Sequence, residues 1–264
     1  MINILTNLPT TLLKTRLHSA LAACALLAAA PAMADIITFD GQAPTILAGG
    51  ETLVEAGYTL AALDNPYGIA NGINGLSGAI LDGSDPSSCD ATACPAGNAS
   101  LYYAGLNDSA LRLSRTDGRA FSVTGLDFAF LAAQPVDPEL RGQLLVTGTR
   151  ADGGSAVLAL DLPGADGSGT FTFSSATLDG FNGAAFASVT FSACVFIEGS
   201  CVNSLDQPAY NLAQFALDNI ATTVSAVPEP ATWMALLAGL GLLGGTARRN
   251  GRRIDCSRSR NSES

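Results

Sequence analysis

Between Asp35 and Val227 the chain has no lysine, no histidine and no tryptophan. Lys14 and His18 stand near the N-terminus, and Trp233 stands near the C-terminus. Each absence removes a class of chemistry. A serine or cysteine nucleophile usually takes its base from histidine or lysine, so nucleophilic catalysis has no support here. The same stretch holds five basic residues, Arg112, Arg115, Arg119, Arg141 and Arg150, against twenty acidic ones, a formal charge of −15. Nucleic acid needs a basic footprint for its phosphates, and this balance excludes one. An acidic surface favours solubility and cation binding instead. No glycine stretch matches a phosphate loop. Glycoside hydrolysis needs only two carboxylates. The four glutamates, Glu51, Glu55, Glu139 and Glu198, lie in no catalytic motif. The expectation is a protein that is not an enzyme.

The chain has six cysteines. Cys24 and Cys256 belong to its two ends. Cys89, Cys94, Cys194 and Cys201 remain, and four cysteines allow three connectivities. The short spacings favour two local loops, Cys89–Cys94 and Cys194–Cys201. Zinc is the rival use of such residues, but neither spacing is a CxxC knuckle and no histidine is at hand.

The N-terminal segment reads as an export signal. Lys14 and Arg16 form a basic n-region, and Ala20 to Ala30 an apolar h-region. Ala32-Met33-Ala34 is a small-x-small cleavage site, which starts the mature chain at Asp35. Leu21-Ala22-Ala23-Cys24 looks like a lipoprotein box, but most of the apolar region follows Cys24. An exported chain meets an oxidising setting, where disulfides are expected.

The C-terminal segment has three parts in fixed order: Pro228-Glu229-Pro230, an apolar run from Ala231 to Thr246, and Arg248, Arg249, Arg252 and Arg253. The prolines hold an extended backbone that a processing enzyme can grip. The apolar run falls short of the roughly 20 residues that span a bilayer comfortably. It suits a temporary membrane anchor, with Trp233 at one interface and the arginines on the cytoplasmic side. Pro228, Glu229, Pro230, the run and the arginine cluster together resemble the PEP-CTERM sorting signal of Gram-negative bacteria, read by membrane proteases of the exosortase type. The resemblance implies an exported protein whose tail is recognised and cut, with release to the cell surface or extracellular matrix. An ordinary C-terminal anchor is the plainer alternative.

Between the two signals, short apolar alternations are broken by Gly, Asp, Asn and Pro, as in a sheet protein. Expected strands are Ile36 to Phe39, Glu51 to Leu60 with Tyr58 facing in, Leu101 to Tyr103, Leu111 to Leu113, Phe121 to Val123 and Leu126 to Leu131. Gly142 to Thr149 and Ala156 to Leu160 follow, flanking a hairpin at Asp152-Gly153-Gly154. Asp117-Gly118 is another hairpin-type dipeptide. Thr170 to Phe173, Ala187 to Val195 and Tyr210 to Ile220 complete the set. Val189, Phe191, Ala193 and Val195 share one face. Leu81 to Ser100 reads as a loop pinned by the first cysteine pair. No helix stands out. The expected fold is all-β, an antiparallel two-sheet sandwich of jelly-roll type. The chain divides into a signal peptide (1–34), a β-sandwich (35–220), a linker (221–227), the sorting signal (228–253) and a tail (254–264).

Two ligand ideas remain. Calcium takes carboxylate and carbonyl oxygens. A jelly roll brings its first and last strands together, so Asp40 and Asp218 could meet. Ala216-Leu217-Asp218-Asn219-Ile220 is similar to the closing strand of MAM-type and carbohydrate-binding jelly rolls, which implies a structural calcium. Asp218 capping a turn is the plainer role. Asp82, Asp85 and Asp90 read as a solvated acidic loop. Gln214-Phe215-Ala216-Leu217-Asp218 also resembles a Gln-Phe-x-x-Asp pattern of one PEP-CTERM subgroup. Glycan is the second idea: in Tyr102-Tyr103, strand alternation sends one ring inward and one outward, where it could stack on a sugar. The expected role is a non-enzymatic surface or matrix protein associated with exopolysaccharide or biofilm. The alternative is a carbohydrate-binding module with a specific glycan ligand.

Overall fold

The computed structural model describes residues 33–224 except 71, 73–75, 90, 91, 182 and 204–210, together with 239–241. Met33–Ser225 forms one compact unit. Its strands are β1 (Met33–Ile37), β2 (Thr45–Leu47), β3 (Thr52–Glu55), β4 (Tyr58–Leu63), β5 (Gly78–Asp82), β6 (Leu101–Gly105) and β7 (Ala110–Arg115). The later ones are β8 (Ser122–Phe130), β9 (Gly142–Thr149), β10 (Ser155–Leu162), β11 (Ser174–Thr177), β12 (Ser188–Ile197), β13 (Ser200–Val202) and β14 (Phe215–Val224). They make two seven-stranded sheets. Sheet A runs β11-β8-β14-β6-β5-β2, with β1 also on β14. Sheet B runs β10-β9-β12-β7-β4-β3, with β13 on β12. Every strand pairing is antiparallel. The fold is the two-sheet sandwich that the alternation predicts.

One core lies between the sheets. On β12, Val189, Phe191 and Ala193 are fully buried and Val195 nearly so, the face expected from the sequence. Tyr58 is fully buried and packs edge-on to Phe121 at 5.1 Å. A second, smaller cluster covers the opposite face of sheet A: Ala79, Tyr102, Ala104, Leu106, Ala129, Leu131 and Ala216, with Phe173 against it.

Several expectations change. Glu51 to Leu60 is a hairpin rather than one strand, because Ala56 (φ 48°) and Gly57 (φ 80°) turn the chain through two left-handed residues. The β9–β10 hairpin forms at Asp152-Gly153 as expected. Asp117-Gly118 makes no hairpin: β7 belongs to sheet B and β8 to sheet A, so this turn carries the chain across the sandwich. Thr170 to Phe173 contributes only a bridge from Thr172 to Ala96. A short helix, α1 (Pro66–Ala70), stands where none was expected. Asn65 caps it, accepting from the Tyr67 N–H at 2.8 Å, with proline at the first helical position. β14 continues to Val224 because β1 pairs with it there, so 221–224 belong to the sheet.

Candidate functional site

The first and last strands meet as expected, with Ile37 opposite Ile220. Along one side of β14, residues 215–217 pair with β6 and residues 220–224 pair with β1. Asp218 and Asn219 fall at the handover between these two neighbours. On the other side, the β8 register shifts between Asp218 and Ala221, and Asn219 sits at φ 49°. This bulge re-aims the side chains.

Asp218 is only 1% exposed. Its Oδ2 accepts from Asn98 Nδ2 at 2.7 Å and from Ser100 Oγ at 3.0 Å. Its Oδ1 accepts from the Asn219 N–H at 2.7 Å. Burial pushes the carboxyl above the usual aspartate range, the hydrogen bonds oppose that, and the charge of Asp40 adds to it. Asp40 accepts from the Leu101 N–H at 3.3 Å, one residue beyond Ser100. Asp127 is the direct cross-strand partner of Asp218. Asn219 Nδ2 donates to Asp127 at 2.8 Å and lies 3.4 Å from Asp218 Oδ2. The site is thus Asp218, holding donors from Asn98, Ser100 and Asn219, with Asp127 sharing the Asn219 amide and Asp40 on the neighbouring Leu101 N–H. Among the described residues no group of three or more His, Cys, Asp or Glu is arranged to hold a metal. Asp127, Asn98 and Ser100 were not singled out by sequence, because only the bulge and the returning loop bring them here.

Tyr102 and Tyr103 do point to opposite sides of sheet A, but both are fully buried. The outward ring expected to stack on a sugar is covered. Phe173 lies edge-on to Tyr102 at 5.4 Å, and Cys89 Sγ is 3.3 Å from its hydroxyl. Cys89–Cys94 and Cys194–Cys201 are the two disulfides. The first pins a loop that roofs the outer face of sheet A: Ala93 N–H donates to Ala132, and Ala96 N–H to Phe171. Gln214, 2% exposed, accepts from the Asn107 N–H at 3.3 Å and holds the β6–β7 turn. Gln214 and Asp218 therefore each tie a loop to this face, while Phe215 and Leu217 fill the core.

Residues 1–32, Asp90, Tyr210, Pro228, Glu229, Pro230, Arg248 and Arg249 lie outside the described residues. Among those described, no helix is long and apolar enough to cross a membrane. Residues 226–253 match the PEP-CTERM protein-sorting motif. The chain carries a PEP-CTERM sorting motif. Such a motif marks an exported protein processed by an exosortase, as the tail's three-part order implied. No curated protein matches the PEP-CTERM chain. Among solved structures, it is similar to a DUF4465 family protein from Bacteroides ovatus, at 10% identity and a TM-score of 0.40, covering 74% of this chain and all of that one. It is also similar to a family 11 carbohydrate-binding module from Clostridium thermocellum, solved with a β-1,3-1,4-mixed-linked tetrasaccharide. That likeness has 8% identity and a TM-score of 0.30, covering 76% of this chain and all of that one.

Proposed function

We propose that this PEP-CTERM protein is a non-enzymatic component of the cell surface or extracellular matrix, delivered by exosortase sorting and lying beside exopolysaccharide. The observation that carries the reading is the sorting motif at 226–253 behind an acidic sandwich without lysine or histidine. The test is the intact mass of the protein from surface and medium fractions of its host. A chain running from Asp35 to near Pro228 is the expected result. Extra mass on that end means attachment. A mass that retains Trp233 and the arginines means a permanent anchor and overturns the reading. A single specific hit on a glycan array would favour a carbohydrate-binding module instead, using a surface other than Tyr102 and Tyr103.

A structural calcium ion between Asp40 and Asp218 is part of the same proposal. Two observations support it: the Asp218 carboxyl is buried and pushed up, and Asp127 stands directly opposite. A divalent cation would offset both. In its favoured pose Asn98 and Asn219 would turn carbonyl oxygens, not amides, toward the ion. EDTA is expected to lower the melting temperature of the native chain and to leave Asp218→Ala unchanged. An identical melt with and without EDTA removes calcium from the proposal.

A further inference from the structure

Among the described residues six strands pair on one side only, and one differs from the rest. β2, β3, β11 and β13 are three or four residues long and β1 has five, whereas β10 has eight. Short edges are a standard protection against unwanted pairing, as are lysine, proline and bulges. β10 reads Ser-Ala-Val-Leu-Ala-Leu-Asp-Leu, with no proline, glycine or basic residue. It pairs with β9 without a register shift, and Val157 is 61% exposed.

The β9–β10 turn fixes which backbone groups face the open side. Arg150 N–H bonds the Gly154 carbonyl at 2.7 Å, and Gly153 N–H bonds the Arg150 carbonyl at 3.0 Å. Arg150 and Gly154 therefore close the ladder through one bond, the return bond being taken by Gly153 in the turn, and the Thr149 carbonyl points the other way, to the Ala187 N–H at 2.8 Å. In an antiparallel ladder hydrogen-bonded pairs alternate with non-bonded ones. Counting along the register, Thr149–Ser155, Thr147–Val157, Leu145–Ala159 and Gln143–Asp161 are the non-bonded pairs. Ser155, Val157, Ala159 and Asp161 thus aim both N–H and C=O at the open edge. The core also runs out here. Leu144 and Val146 on β9 are fully buried, while Ala156, Leu158 and Leu160 on β10 are only partly so.

We propose that β10 pairs with β10 of a second copy of this chain, antiparallel about a two-fold axis through Leu158, joining the two B sheets into one. This register engages all four outward residues. Val157 bonds Ala159 of the partner subunit, and Ser155 bonds Asp161 of the partner subunit. No like charges face each other, since the one charge on the strand, Asp161, meets a serine. On the core side Leu158 meets Leu158 of the partner subunit, and Ala156 meets Leu160 of the partner subunit, which extends the half-covered apolar row. The contact is isologous and closes at two copies.

Cysteine substitution in the full exported chain tests the register. The two Leu158 positions form a non-bonded pair with Cα atoms about 4.5 Å apart, within disulfide reach. The two Val157 positions are diagonal, about 7–8 Å apart, and out of reach. Under oxidation Leu158→Cys is expected to give a reducible dimer and Val157→Cys none. Equal cross-linking by both variants, a ladder of higher multiples, or a monomer from each overturns the proposal. Light scattering on the unsubstituted protein from the surface or medium fraction guards against a folding fault in the variants. Twice the chain mass is expected, and a monomer at every concentration overturns the proposal.

Discussion

The side-chain amide of Asn98 donates to the carboxylate of Asp218 at 2.7 Å across 120 residues of sequence. One end of this bond is in the last strand and the other is in the loop that roofs sheet A. Asp218→Ala leaves the Asn98 amide and the Asn219 N–H without this acceptor in a half-buried site, while the Ser100 hydroxyl keeps the Asn98 side-chain oxygen at 2.6 Å. The expected cost is about 1–3 kcal/mol. At about 2–4 °C per kcal/mol for a domain of this size, thermal melting resolves it. Asn98→Ala should cost much less in the Asp218→Ala background than in the native chain. Full additivity in that cycle would show that the two residues act independently.

Acid acts on this site in an unusual direction. The folded carboxyl of Asp218 is raised above its unfolded value, so the folded state holds the proton more tightly. Its contribution is most favourable below the unfolded value and is lost as pH rises through the folded one. Asp218→Asn has no such term. The melting temperature of the native chain minus that of Asp218→Asn should therefore rise as pH falls from about 7 to about 4. A bound calcium would hold the carboxylate charged and flatten that trend, so the titration should be run with and without EDTA. Asp117 behaves oppositely: the Arg115 guanidinium, at 2.6 Å, holds its carboxyl well below the usual range. Its contribution is present above the unfolded value and fades in stronger acid.

Much of this sandwich was legible because alternation is a local signal. Val189, Phe191, Ala193 and Val195 read as one face and are one face. The Asp152-Gly153 turn read as a hairpin and is one. Asp117-Gly118 did not follow, because a turn dipeptide shows that the chain reverses, not which sheet takes the next strand. Ala56 carries no mark of its left-handed φ, so the β3–β4 turn was invisible. The pairing of the first and last strands followed from the jelly-roll expectation, and it leaves Asp40 on the Leu101 N–H, one residue from the Ser100 that donates to Asp218. The fate of Tyr102 did not, because the segment that covers it has no apolar period and is placed by a disulfide and a few backbone bonds.

That cover gives its own prediction. Cys89–Cys94 closes a short loop, with a sequence separation of 5, and chain entropy assigns such a closure about 2 kcal/mol. Burial holds the Tyr102 and Tyr103 hydroxyls well above the usual tyrosine range. With Cys89 and Cys94 both changed to serine, the roof loosens over Tyr102 while Tyr103 stays in the central core. Ultraviolet titration should show one further tyrosine ionising in the ordinary range. No gain in titrating tyrosine would mean that Phe173 and the backbone bonds hold the roof without the disulfide.

Gly105 tests how tightly the last strand is packed. It lies directly opposite Phe215 on β14 and Gly78 on β5. A Cβ at Gly105 would stand 2.4 Å from Phe215 Cε1 and 2.5 Å from its Cζ. Phe215 is fully buried, with its ring centroid 6.3 Å from that of Tyr103, so making room means shifting a ring packed in the core. Gly105→Ala should therefore cost about 1–3 kcal/mol through overpacking, even though alanine suits a strand better than glycine does. Phe215→Leu in the same chain shortens the obstructing ring and should return part of that loss. A double variant less stable than the sum of the two singles would show that the strain at Gly105 lies elsewhere.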